Sequence, residues 1–144
     1  MDYWFVLLNL APTLENRAGI IYGNAVLGMP LWLSFVLSTM ICILVSPIIL
    51  LVMDKLDVDN IFYKLLSKYA KNKVKKAKYY VNKYGPYGII LFVAIPLPGT
   101  GVYTGSIVAG LLGMDKKPAL ISIAIGAAIA GLIVSLGVSV WAGV

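Results

Sequence analysis

The sequence predicts an all-α integral membrane protein built as an inverted repeat. Two re-entrant helical hairpins, each followed by a transmembrane helix, flank a cytoplasmic amphipathic helix. Three observations predict this architecture. The 144 residues are 60% hydrophobic and only 12% charged, about half the charged fraction of a typical soluble domain. The charges are concentrated in two clusters, and prolines and glycines interrupt two of the apolar stretches.

Three long apolar stretches carry the membrane prediction. Residues 18–53 and 118–144 have no charge, and residues 81–114 have only Lys83. Each exceeds the about 20 apolar residues that cross a bilayer core. Asp2 stands where a signal peptide has its basic region, so we expect an inserted protein without a cleaved leader. Residues 1–144 then form a single membrane domain.

The lysines predict the orientation. Residues 54–83 contain nine lysines and three aspartates, and a smaller cluster, Asp115, Lys116 and Lys117, follows later. Lysines close to membrane ends mark the cytoplasmic side. If both clusters are cytoplasmic, the chain between them leaves and returns on the same face.

The second half, residues 85–144, therefore contains a hairpin over 86–114. Its centre, "AIPLPGTGVYTG", holds Pro96, Pro98, Gly99 and Gly101, which cannot all lie inside one regular helix. The remaining arms, residues 87–95 and 102–114, each span about half a bilayer at 1.5 Å per residue. A transmembrane helix over 118–141 follows.

The first half, residues 1–53, follows the same order. An apolar arm ends near Pro12 and resumes after a polar run, giving a hairpin over 3–28 and a transmembrane helix over 29–52 with Pro47 inside. "AVLGM" in this half echoes "GLLGM" in the second. With the middle segment inside, the two hairpins enter from opposite faces, as in transporters with inverted repeats.

Glu15 and Arg17, the only glutamate and the only arginine, lie at the first break. Ionisable residues at membrane depth are expensive and usually functional. We interpret Glu15 as a proton or cation site and Arg17 as a site for an anionic group. A solvated external loop is the alternative. An ion pair between them requires a non-helical backbone, because side chains two apart diverge on a helix.

Uncharged polar groups complete the candidate substrate or ion site. Thr13 and Asn16 belong to the first polar run. At the second break, exposed backbone N–H groups, hydroxyls and a helix N-terminus can hold an anion; this set is Gly99, Thr100, Gly101 and Tyr103. A tight turn that needs glycine and proline only for its geometry is the alternative. Pro12, Pro96 and Pro98 are the predicted hairpin breaks.

Other chemistry is not expected. The chain has no histidine and a single cysteine, Cys42, which we interpret as a lipid-facing or packing residue. Such a chain lacks the ligands of a thiolate or imidazole metal site and the groups of an acid/base or nucleophilic enzyme. We therefore expect no metal, no cofactor and no enzymatic activity.

The expected partners are lipids and a second copy of the chain. Residues 61–84 have the period of an amphipathic helix, with lysines suited to anionic headgroups, so nucleic acid is not an expected partner. Small residues recur at every fourth position and favour close helix packing in lipid. They predict a homodimer, or close packing within one chain: Gly101, Gly105, Ala109, Gly113, Ala127, Gly131, Ser135 and Ser139.

Two motifs resemble a known family. "ENRAGIIYG" with a following "GMP", and "VAIPLPGTGVYTGSIVAGLLGM", are similar to the small multidrug export proteins of archaea and bacteria. The family pattern has a glycine where this chain has Ala18, followed here by Gly19. In arrangement the family resembles the DedA (VTT/SNARE-associated) superfamily, whose hairpins carry acidic and arginine residues. The arginine of their second hairpin has no counterpart within residues 99–103.

The resemblance implies a small secondary transporter. DedA proteins are implicated in returning phosphorylated polyprenyl lipid carriers across the membrane. By that resemblance we expect transport of an anionic lipid-linked substrate, coupled to a proton or cation gradient. The alternatives are export of small molecules or drugs and a non-transporting membrane subunit of a larger complex.

Overall fold

A computed structural model of the chain describes residues 2–11, 14–55, 79, 81–97 and 100–142. These residues form helices and contain no β-strand. In chain order the helices are α1 (Tyr3–Leu10), α2 (Glu15–Ala25), α3 (Leu31–Lys55), α4 (Pro86–Ala94), α5 (Val102–Leu111) and α6 (Lys116–Ala142). The predicted all-α class is confirmed for the described residues. The basic segment 56–78, with most of the predicted amphipathic helix, lies outside them.

Two helices, α3 and α6, are long and apolar enough to cross a membrane. Only 28% and 39% of their most apolar windows is buried inside the chain, whereas the core helix of a soluble protein is mostly buried. Large apolar side chains instead face outward along both helices, among them Trp32, Met40, Leu44, Ile48, Leu132, Leu136 and Trp141.

Both long helices extend beyond the predicted bounds by two or three residues at their charged ends. α3 continues through Asp54 and Lys55, and α6 begins at Lys116. The Lys116 ammonium lies 2.6 Å from the Asp54 carboxylate, so the two ends are joined by an exposed ion pair. Pro118 is tolerated because the first backbone N–H groups of a helix have no partner within it.

Pro47 lies inside α3 and removes the backbone N–H that Ile43 O would accept. The neighbouring Ser46 hydroxyl donates to that same carbonyl at 2.8 Å. A side chain thus replaces the missing backbone donor, which is how helices in lipid accommodate proline.

Four short helices form two pairs, α1 with α2 and α4 with α5, and each pair precedes a long helix. α1 ends at Leu10 and α2 begins at Glu15, and α4 ends at Ala94 and α5 begins at Val102. We call these two interruptions between helices the first and the second break. Pro96 lies in the second break, as expected, and the other predicted break residues, Pro12 and Pro98, lie outside the described residues. We call these pairs hairpin 1 (α1–α2) and hairpin 2 (α4–α5).

The hairpins and the long helices pack across the two halves of the chain. α3 packs against α2 of its own half and extensively against α5 of the other, while α6 packs against α4, α3 and α2. Some of the predicted small residues serve this internal packing. A Cβ on Gly105 would collide with Val93, and one on Gly131 would lie 2.7 Å from the Phe35 ring.

Candidate functional site

The tip of hairpin 1 contacts the break in hairpin 2 through Glu15. Its carboxylate accepts hydrogen bonds from the backbone N–H of Val102 (3.1 Å) and of Tyr103 (3.3 Å). These are the first residues of α5, whose N–H groups have no partner within the helix and carry its partial positive charge. Glu15 is only 5% exposed, so a buried carboxyl group is held at a helix N-terminus.

Two backbone features permit this contact. Glu15 has φ of 49°, a left-handed conformation that is uncommon for residues other than glycine and that often marks a functional position. Gly101 precedes α5, and a Cβ built on it would collide with the Glu15 carboxylate. The absence of a side chain at position 101 is therefore what lets the carboxylate reach the helix.

Arg17 contacts the other side of the same break. Its guanidinium donates to the carbonyl oxygens of Leu97 and Thr100, and weakly to that of Ile95 at 3.5 Å. Ile95 is the C-cap residue of α4, whereas Leu97 and Thr100 lie in the segment between α4 and α5. The Arg17 Nε is buried and has no hydrogen-bond partner.

Thr100 closes the break internally. Its hydroxyl lies 2.7 Å from Ile95 O and 2.9 Å from Leu97 O as a donor, and 3.3 Å from the backbone N of Leu97 as an acceptor. The carbonyls of Ile95 and Leu97 are thus shared between Thr100 and Arg17. The Thr100 hydroxyl and the Arg17 guanidinium therefore both stabilise the turn.

Two further contacts fix the hairpins to their surroundings. The Tyr103 hydroxyl donates to Leu10 O at 2.6 Å, which ties hairpin 2 back to the end of α1. The Asn16 side chain donates to Ala127 O at 3.1 Å, which ties hairpin 1 to α6. Asn16 is 2% exposed and its side chain faces α6.

Glu15 and Arg17 do not pair with each other. Among the described residues the only salt bridge within 4 Å is that between Lys116 and Asp54. Glu15 is the first residue of α2 but has a left-handed φ of 49°, and its carboxylate lies against the first N–H groups of α5 instead of the Arg17 guanidinium. Each charge instead meets the opposite partial charge of the second break: the carboxylate meets the N-terminus of α5, and the guanidinium meets the carbonyls after α4.

The structure thus brings together five of the predicted site residues: Glu15, Arg17, Thr100, Gly101 and Tyr103. Asn16 lies one residue away on another face, and Thr13 and Gly99 lie outside the described residues. The helix N-terminus that the sequence offered to an anion is occupied by the chain's own carboxylate. Among the described residues, no group of three or more His, Cys, Asp or Glu side chains could hold a metal ion.

Asn9 is a polar residue near the site that the sequence interpretation passed over. It is fully buried in α1, donates to Phe5 O at 2.8 Å, and offers its own carbonyl to the Cys42 thiol at 3.3 Å. Its amide occupies the space left by Gly19, because a Cβ there would collide with it. The signal was an amide in an otherwise apolar arm. Cys42 is a fully buried packing residue, one of its two predicted roles.

The sequence matches the profile of a protein family. No curated protein and no solved structure matches the chain. The profile of one family, described as "Putative small multi-drug export protein", matches residues 15–133, which include the second break, all of α3 and most of α6. The two apolar helices and this match indicate a membrane protein. The chain belongs to the small multidrug export protein family.

Proposed function

We propose that the protein is a proton-coupled secondary transporter in which the contact between the hairpin tips is the gate. One observation carries this proposal. The only glutamate and the only arginine of the chain form hydrogen bonds with backbone atoms of the second break and the start of α5. Such contacts are strong while Glu15 is ionised and are weakened when it is protonated. The activity involves no covalent step, so the protein acts without being an enzyme.

In this proposal both hairpins re-enter the membrane, hairpin 1 from outside and hairpin 2 from the cytoplasm. The end of the bundle that carries Asp54 and Lys116 is cytoplasmic, as is the basic segment 54–83. Each hairpin length supports this, because α1, α2, α4 and α5 have 8 to 11 residues and are about half as long as a spanning helix needs. Broken backbone is acceptable at that depth where protein covers it.

The proposed substrate site consists of the groups that the closed gate covers. When Glu15 takes up a proton, the N–H groups of Val102 and Tyr103 lose their anionic partner, and an anionic substrate group can replace the carboxylate. Arg17 can then turn from the carbonyls of the break to the same anion. A phosphate fits both groups, because helix N-termini and guanidinium groups both favour it.

We infer that the substrate is a lipid-linked anion such as a polyprenyl phosphate, by the DedA-like arrangement of two hairpins with acidic and arginine residues. A small-molecule or drug exporter is the second candidate, and the family description favours it. The two candidates differ in what must contact Arg17: a phosphate in the first, and no anion at all for a cationic drug.

Reconstituted liposomes test the proposal. Translocation of a fluorescent polyprenyl phosphate and efflux of a cationic dye are measured with and without a pH gradient. We expect headgroup translocation that needs the gradient and is lost in Glu15→Gln and Arg17→Gln. Asp115→Asn is the matched control, since it removes an exposed carboxylate that forms no ion pair within 4 Å with a described residue. Dye efflux without phosphate translocation supports the second candidate.

A non-transporting subunit is the remaining alternative. It predicts no transport of either substrate by the purified protein, and copurification with a partner that depends on the exposed apolar face of α6, including Leu136 and Trp141. The homodimer predicted from the small-residue ridges stays a prediction. Cross-linking of a Gly137→Cys variant tests it, because a Cβ at position 137 meets no atom of its own chain within 4 Å.

A further inference from the structure

Tyr103 of hairpin 2 contacts both sides of the first break. Its backbone N–H donates to the carboxylate of Glu15, the first residue of α2, at 3.3 Å. Its hydroxyl donates to the carbonyl of Leu10, the last residue of α1, at 2.6 Å. That carbonyl is among the last four of its helix, which have no backbone donor within it. One residue of α5 therefore binds the two helix ends that flank the first break.

Hairpin 1 contacts both sides of the second break in the same way. Arg17 donates to the carbonyl of Ile95, the C-cap residue of α4, at 3.5 Å and also to that of Thr100. Glu15 accepts from the N–H of Val102, the first residue of α5, at 3.1 Å. Each break is thus bridged by the opposite hairpin. Separation of the tips removes partners from backbone groups of both breaks, and such groups are costly inside a membrane.

The Tyr103–Leu10 hydrogen bond differs from the Glu15 contacts in its response to a proton. The Glu15 contacts weaken when the carboxylate is protonated. A phenol keeps its proton near neutral pH, so the Tyr103 hydroxyl continues to donate. The end of α1 is also held on α3, because the Cys42 thiol donates to the Asn9 carbonyl at 3.3 Å. Since this bond resists a joint movement of α1 with α5, separation of the tips has to break the Tyr103–Leu10 bond.

We propose that Tyr103 is a positioning residue of the gate, which keeps the hairpin tips together while Glu15 is protonated and no substrate is bound. This rests on the proposed role of Glu15 as proton acceptor. Protonation alone then weakens the gate without opening it. Binding of a substrate anion to the N–H groups at the start of α5 supplies the remaining free energy. Tyr103 thereby limits the entry of protons that cross without substrate.

Proton entry in the absence of substrate tests this role. Proteoliposomes that contain a pH-sensitive dye are exposed to an acid jump without polyprenyl phosphate. Tyr103→Phe removes only the hydroxyl, and we expect it to raise the initial rate of internal acidification about three-fold or more. Translocation of the fluorescent polyprenyl phosphate, driven by the same gradient, should fall. Tyr87→Phe is the matched control, since this tyrosine of α4 is 72% exposed.

Two other results would overturn the proposal. Equal falls in proton entry and in substrate translocation would show that the hydroxyl serves stability alone. Unchanged rates of both would show that the gate does not depend on it.

A double variant identifies the route of the protons. Because Glu15 is the acceptor in this proposal, Glu15→Gln combined with Tyr103→Phe should return proton entry to the rate of protein-free vesicles. Proton entry that stays high in the double variant would place the leak outside the gate and overturn the proposal.

Hydrogen exchange tests the bridging of the two breaks without any transport. The Leu14 amide donates to Ala11 O at 3.1 Å in the first break, and the Leu97 amide donates to Ile95 O at 2.8 Å in the second. Both are bonded within their own break, so both report separation of the tips. We expect Tyr103→Phe to accelerate exchange at both amides about three-fold or more, with amides in the middle of α6 unchanged. Acceleration at Leu14 alone would show that the breaks open independently.

Failure of this role and failure of the proposed function are distinguishable. If Glu15→Gln transports normally, the proposed function fails, whatever the exchange rates. If Glu15→Gln is inactive while Tyr103→Phe leaves proton entry unchanged, the proposed function survives and the role of Tyr103 does not.

Discussion

The backbone N–H of Val102 donates to the carboxylate of Glu15 across 87 positions of sequence. This bond joins the tips of two hairpins from opposite halves of the chain. It places the Glu15 carboxyl group at the positive end of α5, and Arg17 donates to carbonyl oxygens in the segment between α4 and α5.

Replacing Gly101 by alanine should break the tip contact. The added Cβ would collide with the Glu15 carboxylate, so the buried charge would lose its N–H partners. We expect the free energy of unfolding to fall by about 1–3 kcal/mol, measured by thermal denaturation in detergent. Gly137→Ala is the control, because open space surrounds that position. Equal melting temperatures for the two variants would contradict the contact.

Replacing Glu15 by glutamine should loosen the start of α5. The amide keeps the shape of the side chain but lacks the charge that strengthens both hydrogen bonds. Hydrogen exchange of the Val102 and Tyr103 amides, followed by mass spectrometry, should accelerate about ten-fold or more. Exchange in α4 should not change. Unchanged protection at Val102 would mean that the carboxylate does not hold this helix.

Replacing Arg17 by lysine should not preserve the second set of contacts. The guanidinium reaches several carbonyls at once through its planar fork, whereas an ammonium is a point donor. We expect Arg17→Lys to lower stability by about 1–2 kcal/mol and Arg17→Gln by more. Denaturation of the three proteins under identical conditions measures the order. A lysine variant as stable as the original protein would show that the planar guanidinium is not needed for these contacts.

The Ser46 hydroxyl should matter only while Pro47 is present. Ser46→Ala leaves the Ile43 carbonyl without a donor, at a cost of about 0.5–1.5 kcal/mol. In Pro47→Ala the backbone N–H at position 47 is restored, so the second substitution should then cost little. A double-mutant cycle measures the difference. Additive effects of the two changes would show that the hydroxyl does not replace the missing donor.

Much of the fold was predictable because local chemistry decides it. The apolar runs predicted α3 and α6, and Pro96 with Gly101 predicted the break after α4, since neither proline nor glycine suits a helix interior. The end of α3 was placed three residues too early because the charged residues Asp54 and Lys55 were assigned to the following segment; Asp54 pairs with Lys116, 62 positions away, a partner that local sequence does not reveal.

The residues of the site could be predicted from the sequence, but their hydrogen-bond partners could not. Glu15, Arg17 and Thr100 stand out as polar groups at breaks in apolar sequence. Their partners are backbone atoms, which every residue possesses and which a sequence therefore cannot single out. The choice between a Glu15–Arg17 pair and separate partners depended on the backbone conformation at Glu15. The left-handed φ of Glu15 is a tertiary property, and no local pattern announces it.

Because Glu15 and Arg17 bind main-chain atoms, their contacts depend on the backbone conformation of the second break and not on its side chains. Substitutions at Ile95 or Leu97 keep the carbonyls on which Arg17 depends, provided the turn survives. The side chains around the break are therefore free to diverge while the closing contact stays intact. For the transporter proposed above, the substrate can therefore change while the contact between the two hairpins stays the same.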